Sequence, residues 1–447
     1  METGEIFRRF LRNAGVILGS RVVFGLLNLA TVAIAARAFG LAELGAVLLL
    51  QSYARVAGEA VRFESWQTVL RYGAMTEAQG DRAGFRRLVG FTYSVDLASF
   101  AVAVTGAVLL VPLAQHWFGW SDELAGFAPV FVFSMIFFTH ATPNGVLRHF
   151  DRIGIVATQY AANAVIRFTG TLLAVALGGG ALHLAWAWFL ASVISGGIII
   201  VAALRELWRR GLMPRLKLRW RAAGREFPGI WRYLWMTNLI SSVPMVINYA
   251  STLVVGALLG PAPAAIFDIA RQFARAFAHP AKLLGPLLFP DFARLAEGGD
   301  WPLMRQLLVR QLRLTALGLG GLGLLLFGLL PWLVATLYGA EVAVEIWLFR
   351  LLLLGAMLRF LAFAIEPAFM TAGRPGTLLG IEMAATLLYL ALVLGLLPGT
   401  GLVAMGVAML AFQCVYVGGT LTIGRRLLAR WIARPAAHPG GAGPPPL

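Results

Sequence analysis

The chain has 447 residues, of which 59% are hydrophobic and only 13% charged, and its mean hydropathy is +0.78. A water-soluble domain carries about 25% charged residues, so a chain this apolar cannot cover its own surface and must face lipid. The net charge of +16 would point to nucleic acid in a soluble protein; on this apolar background it points to membrane topology, and no nucleic-acid partner is expected. The lone cysteine, Cys414, excludes an intramolecular disulfide, and with no CxxC motif or histidine cluster neither a metal site nor a cofactor is expected.

Arg8, Arg9 and Arg12 precede a first apolar segment that is long and lacks a signal-peptide cleavage site, so it reads as a retained helix. A spanning helix needs about 20 mostly apolar residues. Twelve segments meet that need: 14–37, 41–61, 88–113, 124–147, 154–177, 182–204, 230–258, 262–288, 306–336, 342–370, 377–397 and 401–424. The first, second and eighth carry charges. The ninth and tenth are long enough to tilt or extend past the bilayer.

The longest polar interruption is the basic stretch RELWRRGLMPRLKLRWRAAGREFPG at 205–229. It divides the chain into an N-lobe of six spans (1–204) and a C-lobe of six (230–434). As a cytoplasmic linker it enforces topology and touches anionic lipid heads, or it docks a cytoplasmic enzyme. The Pro- and Gly-rich tail from 435 to 447 cannot pack and is expected to be disordered.

Lys and Arg in the loops orient the chain. With the N-terminus in the cytoplasm, the inside segments hold most of the 37 basic residues. They include Arg62, Arg71, Arg82, Arg86 and Arg87, then the linker, then Arg294, Arg305, Arg310 and Arg313, then Arg425, Arg426, Arg430 and Arg434. The outside loops, near 38–40, 114–123, 178–181, 259–261, 337–341 and 398–400, hold none. Both termini are therefore expected in the cytoplasm of a plasma (inner) membrane protein.

The two halves repeat weakly. At an offset of 220 residues, Gly40-Leu41-Ala42 falls on Gly260-Pro261-Ala262, and Tyr53-Ala54-Arg55 falls on Phe273-Ala274-Arg275. Identity is 4 of 20 between 38–57 and 258–277. The match places helix two on helix eight, each with an arginine at the same depth. Two lobes of six spans in the same orientation imply a parallel pseudo-twofold repeat with the substrate path between them.

A charge near the bilayer centre costs at least about 2.5–3.5 kcal/mol, yet the spans carry many. Arg21 is on the first, Arg55 and Glu59 on the second, Asp96 on the third and Arg167 on the fifth. Asp268, Arg271, Arg275 and Lys282 are on the eighth, Arg350, Arg359 and Glu366 on the tenth and Glu382 on the eleventh. Glu59, Asp96, Lys282, Glu366 and Glu382 lie nearer the cytoplasmic ends, where they can snorkel or pair. Arg55, Arg167, Arg271 and Arg275 are deeper. Asp268, Arg271 and Arg275 share one helix face, which should meet water. Asp268 can simply neutralise Arg271, but that leaves Arg55 and Arg275 without an obvious carboxylate. Arginine offers a planar, permanently charged fork suited to phosphate or pyrophosphate. A cation exporter would instead need carboxylates to dominate.

The run LGSRVVFGLLNLATVAIAARAFGLAELGAVLLLQSY, followed by RFESWQTVLRYG with Phe63, Trp66 and Gln67, resembles the polysaccharide flippases of the multidrug/oligosaccharidyl-lipid/polysaccharide exporter superfamily. The loop TAGRPG and the last helix pair share the likeness. The resemblance implies an all-α polytopic V-shaped fold of about twelve spans in two six-helix lobes, with a cationic central lumen. It further implies a polyprenyl-pyrophosphate-linked oligosaccharide as substrate, flipped to the outer leaflet by alternating access for O-antigen or exopolysaccharide synthesis. Glycosyltransferases or a polymerase of that pathway would be partners. Related lipid II flippases carry arginines on helices one, two and eight, where this chain has Arg21, Arg55 and Arg271 or Arg275. That branch has two further spans, which favours the O-antigen type here.

On this reading Arg55, Arg271 and Arg275 hold the anion, Arg21 and Arg167 extend the positive surface, and Glu59 and Asp268 are candidate coupling-ion sites. Trp66 and Tyr72 read either as part of the family stretch or as ordinary interface anchors. The competing readings are a cation or drug antiporter of the same superfamily and a membrane-embedded glycan polymerase or ligase. The enzyme reading lacks a catalytic constellation: the longest outside loop, AQHWFGWSDE, is about ten residues with one histidine.

Overall fold

The computed structural model describes residues 3–134, 141–214, 216, 220–371 and 374–432. Within these, the side chains of 3–24, 220–221, 239–244, 246, 279–291, 297, 314, 318–319, 375 and 430–432 lie outside the description. The expected tail, 435–447, is also outside it. Every regular element among the described residues is a helix, and the chain is an all-α polytopic membrane protein.

Helix α1 (Thr3–Val61) carries the first two expected spans and breaks at Gly40. The short α2 (Ser65–Ala78) follows. The third span is α3 (Arg82–Leu109) with α4 (Val111–Phe118), and the fourth is α5 (Asp122–Phe133) with α6 (Ala141–His149). Helices α7 (Ile153–Ala176) and α8 (Ala181–Arg209) are the fifth and sixth; α9 (Trp220–Glu226) lies in the basic stretch 205–229. The seventh joins α10 (Ile230–Met245) to α11 (Ser251–Leu259) through a π segment, Val246–Ala250. Helices α12 (Pro261–Glu297) and α13 (Trp301–Tyr338) follow. After α14 (Ala340–Ala343) come α15 (Ile346–Leu361) and α16 (Ile365–Thr371), then α17 (Pro375–Thr400) and α18 (Val403–Ile432). Each of the twelve expected segments thus carries helix. Among the described residues, six helices are individually long and apolar enough to cross a bilayer, and α15 with α16, bent by 42°, makes a seventh. The others are broken, or diluted by polar residues such as Gln159, Asn163 and Arg167 on α7.

Helix starts follow local chemistry. Asp81 caps α3 by accepting from the Gly84 amide at 2.7 Å, and Asp300 caps α13 through Leu303 at 3.1 Å. Each satisfies an amide that the first helical turn leaves without a partner. Gly40 has φ 82° and ψ 164°, and Gly260 has φ 93° and ψ −179°. Only glycine occupies that region at ordinary cost. The two glycines are the pair that the 220-residue offset superposes, so the weak sequence repeat is also a repeat of backbone geometry.

The chain forms two compact units, one of Val23–Ala265 and another that joins Met1–Val22 to Ile266–Leu447. In the first, Val69, Phe85, Val89, Val146, Ile199 and Leu207 pack α2, α3, α6 and α8 together. Tyr72, Leu88, Phe91, Phe227 and Leu234 form a second cluster, which binds the end of the linker to α2 and α3. Tyr72 is buried and donates its hydroxyl to the Pro228 carbonyl at 3.1 Å, so it fastens the linker and is no interface anchor. Helices in lipid gain little from hydrophobic burial and associate through close packing of small residues. Gly45 shows this: a Cβ there would lie 1.9 Å from the Pro261 carbonyl oxygen.

Candidate functional site

Arg55 and Arg275 each lie 15 residues beyond their turn glycine, roughly 22 Å along a helix. Each also follows an aromatic residue with the same packing. Tyr53 meets Trp120 edge-on with centroids 5.6 Å apart, and Phe273 meets Tyr338 edge-on at 5.9 Å. The repeat therefore extends to the side chains that set these arginines in place.

In the first unit, the Arg55 guanidinium lies 5.8 Å from the ring centre of Tyr249, a residue of the π segment. Such segments are frequent at functional sites. Arg167 lies 3.4 Å over the Trp188 ring and donates to Gln51 Oε1 at 3.3 Å. Gln51 precedes Arg55 by one helical turn, so the two share a face. The structure thereby brings Arg167 to the helix face that carries Arg55. Trp188 is itself fixed, donating from Nε1 to Thr171 Oγ1 at 3.3 Å.

One turn beyond Arg55, at the C-terminal end of α1, Glu59 pairs with Arg62 at 2.9 Å, and Arg62 also pairs with Glu64 at 2.7 Å. Trp66 Nε1 donates to Glu64. Asp96 accepts from Ser65 Oγ at 2.5 Å and from the Thr142 amide at 2.9 Å. Thr142 is on α6, so Asp96 ties α3 to a neighbouring helix of the same unit.

In the second unit, Asp268 and Arg271 are a buried ion pair, 6% and 4% exposed. Arg271 also lies 5.2 Å from the Phe267 ring centre. Gln272 Nε2 donates to the other Asp268 oxygen at 2.8 Å. Arg275 reaches Asp268 at 3.7 Å with a side chain still 44% exposed. The shared face is as expected, but the expectation that Arg275 lacks a carboxylate is wrong: one acid serves both arginines. Nearer the end of the tenth span, Arg359 pairs with Glu366 at 2.5 Å and lies over Tyr416 at 4.0 Å. Tyr416 also donates to Glu366, at 2.7 Å. The side chains of Arg21 and Lys282 lie outside the described residues. Among the described residues no group of three His, Cys, Asp or Glu side chains is placed to hold a metal.

No family model matches the chain. Over 289 residues it is 32% identical to the inner membrane protein YghQ of Escherichia coli (strain K12), a match covering 65% of this chain and 81% of that protein. The chain belongs to the YghQ family. Its fold is also that of transporters in solved structures. An inward-facing multidrug-resistance transporter of the MATE family, MOP superfamily, superposes with a TM-score of 0.73 at 14% identity, covering 92% of this chain and 96% of that one. The lipid II flippase MurJ, inward closed, superposes with a TM-score of 0.70 at 13% identity, covering 93% and 89%. At such identity the likeness establishes the fold.

Reading this YghQ-family sequence from its charges found the arginines but missed what holds them. Gln51, Trp188, Tyr249 and Gln272 carry no charge and drew no notice. Only Gln272 had a local signal, four residues after Asp268 on the same helix face.

Proposed function

We propose that this YghQ-family protein is a flippase, moving a polyprenyl-pyrophosphate-linked oligosaccharide from the inner to the outer leaflet by alternating access of two six-helix lobes joined at 205–229. The observation that carries the reading is the recurrence of one arginine in both repeats, behind the same turn glycine and the same edge-on aromatic pair. Arg275 is 44% exposed within a spanning helix. Lipid would make that placement costly, so its surroundings are taken to be wet and to hold an anion. Arg55 and Arg275 are the groups offered to the pyrophosphate. Arg167 adds positive charge beside Arg55, Arg271 secures the helix face that carries Arg275, and Arg21 is assigned to the positive surface.

A cation or drug antiporter of this superfamily would need a carboxylate ready to receive a cation. Asp268 is held by Arg271, Arg275 and Gln272, and Glu59 by Arg62. That occupancy favours the anion reading. Proton or ion coupling through Asp268 or Glu59 would first have to break these pairs. Both termini are assigned to the cytoplasm on the loop charges, and pathway glycosyltransferases or a polymerase remain the proposed partners.

The test is the sidedness of lipid-linked glycan in cells depleted of the protein, read with an impermeant glycan-modifying probe. The flippase reading expects a polyprenyl-pyrophosphate oligosaccharide trapped on the inner face. Arg55→Ala and Arg275→Ala should each restore less than about a tenth of the export, equivalent to losing about 1.4 kcal/mol or more of substrate interaction, while inserting normally. Export at the wild-type level in both variants would remove the arginines from the site. For topology in a Cys414→Ser background, Glu123→Cys and Glu341→Cys should label from outside and Arg209→Cys should not. The reverse pattern would invert the assignment.

A further inference from the structure

The second unit holds a cavity of about 490 Å3, lined by none of the arginines offered above to the substrate. It lies between the first turns of α13, the short α16 and the last turns of α18. Met304, Leu308, Ile365, Phe369 and Leu428 are among its apolar walls. Met304 and Leu308 belong to the same buried cluster as Phe292, Ala364 and Ala368. Small residues on α18 keep the space open. Gly424 lets that helix come so near Phe369 that an added Cβ would sit 3.2 Å from its ring, and Ala429 leaves the next turn short.

Two arginines complete the lining, Arg305 from α13 and Arg425 from α18. Both side chains are exposed. Among the described residues neither pairs with a carboxylate. An apolar cavity within the usual size of a ligand site is thus flanked by two exposed guanidinium groups that pair with no carboxylate among the described residues. By the loop charges it opens at the inner end of the bundle, a step that rests on the topology proposed above.

We propose that this cavity binds an acidic phospholipid of the inner leaflet, with its phosphate on Arg305 and Arg425 and acyl chain against Met304, Leu308 and Phe369. Guanidinium forks match phosphate oxygens, and basic pockets between helices at the inner face take anionic heads. A free phosphate would gain nothing from the apolar walls. A zwitterionic head would bring its own cation against the two arginines. The cavity is lined by the second unit alone, so it is distinct from the arginine set at Arg55 and Arg167.

The test is native mass spectrometry of the full chain, purified in detergent and offered phosphatidylglycerol, phosphatidylethanolamine, polyprenyl phosphate or inorganic phosphate. The wild type should retain phosphatidylglycerol about tenfold over phosphatidylethanolamine, since each arginine near a lipid surface contributes on the order of 1 kcal/mol. Arg305→Gln with Arg425→Gln should erase that preference. Ala429→Trp, which fills the mouth and keeps both charges, should lower phosphatidylglycerol retention without moving the helical circular dichroism. Equal retention of the two phospholipids, or a preference that survives the double arginine change, would overturn the proposal. So would displacement of phosphatidylglycerol by polyprenyl phosphate at equal concentration, which would make the cavity a substrate site, or by inorganic phosphate, which would make it a head-only anion site. Lipid retention is read without transport, so its failure leaves the flippase reading standing, and the failure of flipping leaves the lipid site standing.

Discussion

Arg167 in the first unit and Arg271 in the second are both cations in spanning helices with an aromatic ring beneath them. They differ in the second partner. Arg167 lies 3.4 Å over Trp188 and donates to the neutral amide of Gln51. Arg271 lies over Phe267 and pairs with a carboxylate, Asp268, that is itself buried. A ring and an amide stabilise a cation without cancelling its charge. A carboxylate cancels it and fixes its place. The first arrangement keeps a positive field, which the proposed function assigns to the substrate, and the second secures the helix face from which the more exposed Arg275 extends. Changes around Asp268 should therefore be felt first in stability, and changes around Arg167 first in transport.

The largest expected effect follows from removing Asp268. Asp268→Ala leaves Arg271 buried without its acid, and breaking one side of a buried pair costs about 3–5 kcal/mol. Thermal unfolding in detergent should show a large drop in Tm. Asp268→Ala with Arg271→Met removes both charges and should recover most of the loss. If the single change leaves Tm unmoved, Arg271 is not secured by this acid, and the contrast between the two units fails.

A second contrast lies between the repeats. Gly45 falls on Ala265 at the 220-residue offset. The first repeat has no room for a methyl: a Cβ at Gly45 would sit 1.9 Å from the Pro261 carbonyl. The second already buries one, since Ala265 is fully buried. Gly45→Ala must push the start of α12 away from α1, and overpacking of this kind costs about 1–3 kcal/mol. Ala265→Gly should cost less, roughly 1 kcal/mol from helix propensity. A Tm loss for Gly45→Ala no greater than that for Ala265→Gly would mean the close approach does not hold α1 to the start of α12.

What sequence shows and hides here divides along physical lines. Span positions are legible because each helix must be apolar over a bilayer's thickness, and the turn glycines Gly40 and Gly260 are legible because the repeat aligns them. The shared face of Asp268, Arg271 and Arg275 follows from 3.6-residue periodicity. Partners distant in sequence are not legible. The Thr142 amide is held by Asp96, 46 residues away. The same holds for Arg167, whose amide partner Gln51 is 116 residues distant. Tyr72 was ambiguous for a related reason: an anchor and a linker clamp ask for the same residue, and only the Pro228 carbonyl decides between them.

The finest test is Arg167→Met, where the stability change should be small because two effects oppose. Methionine keeps most of the apolar stem and gives up the attraction to Trp188, about 2 kcal/mol for a desolvated pair. It also removes a charge whose membrane placement costs at least about 2.5 kcal/mol. Those nearly cancel, so Tm should shift by no more than a few degrees. Arg271→Met makes the same atomic change but leaves Asp268 with only Gln272 and the more distant Arg275, so it should lower Tm by more than Arg167→Met does. In the export assay the order reverses in meaning: Arg167→Met should reduce flipping in a protein that is as stable as the wild type. A stable Arg167→Met that exports normally would show that its charge serves packing against Trp188 rather than the substrate, and the positive field of the first unit would then rest on Arg55.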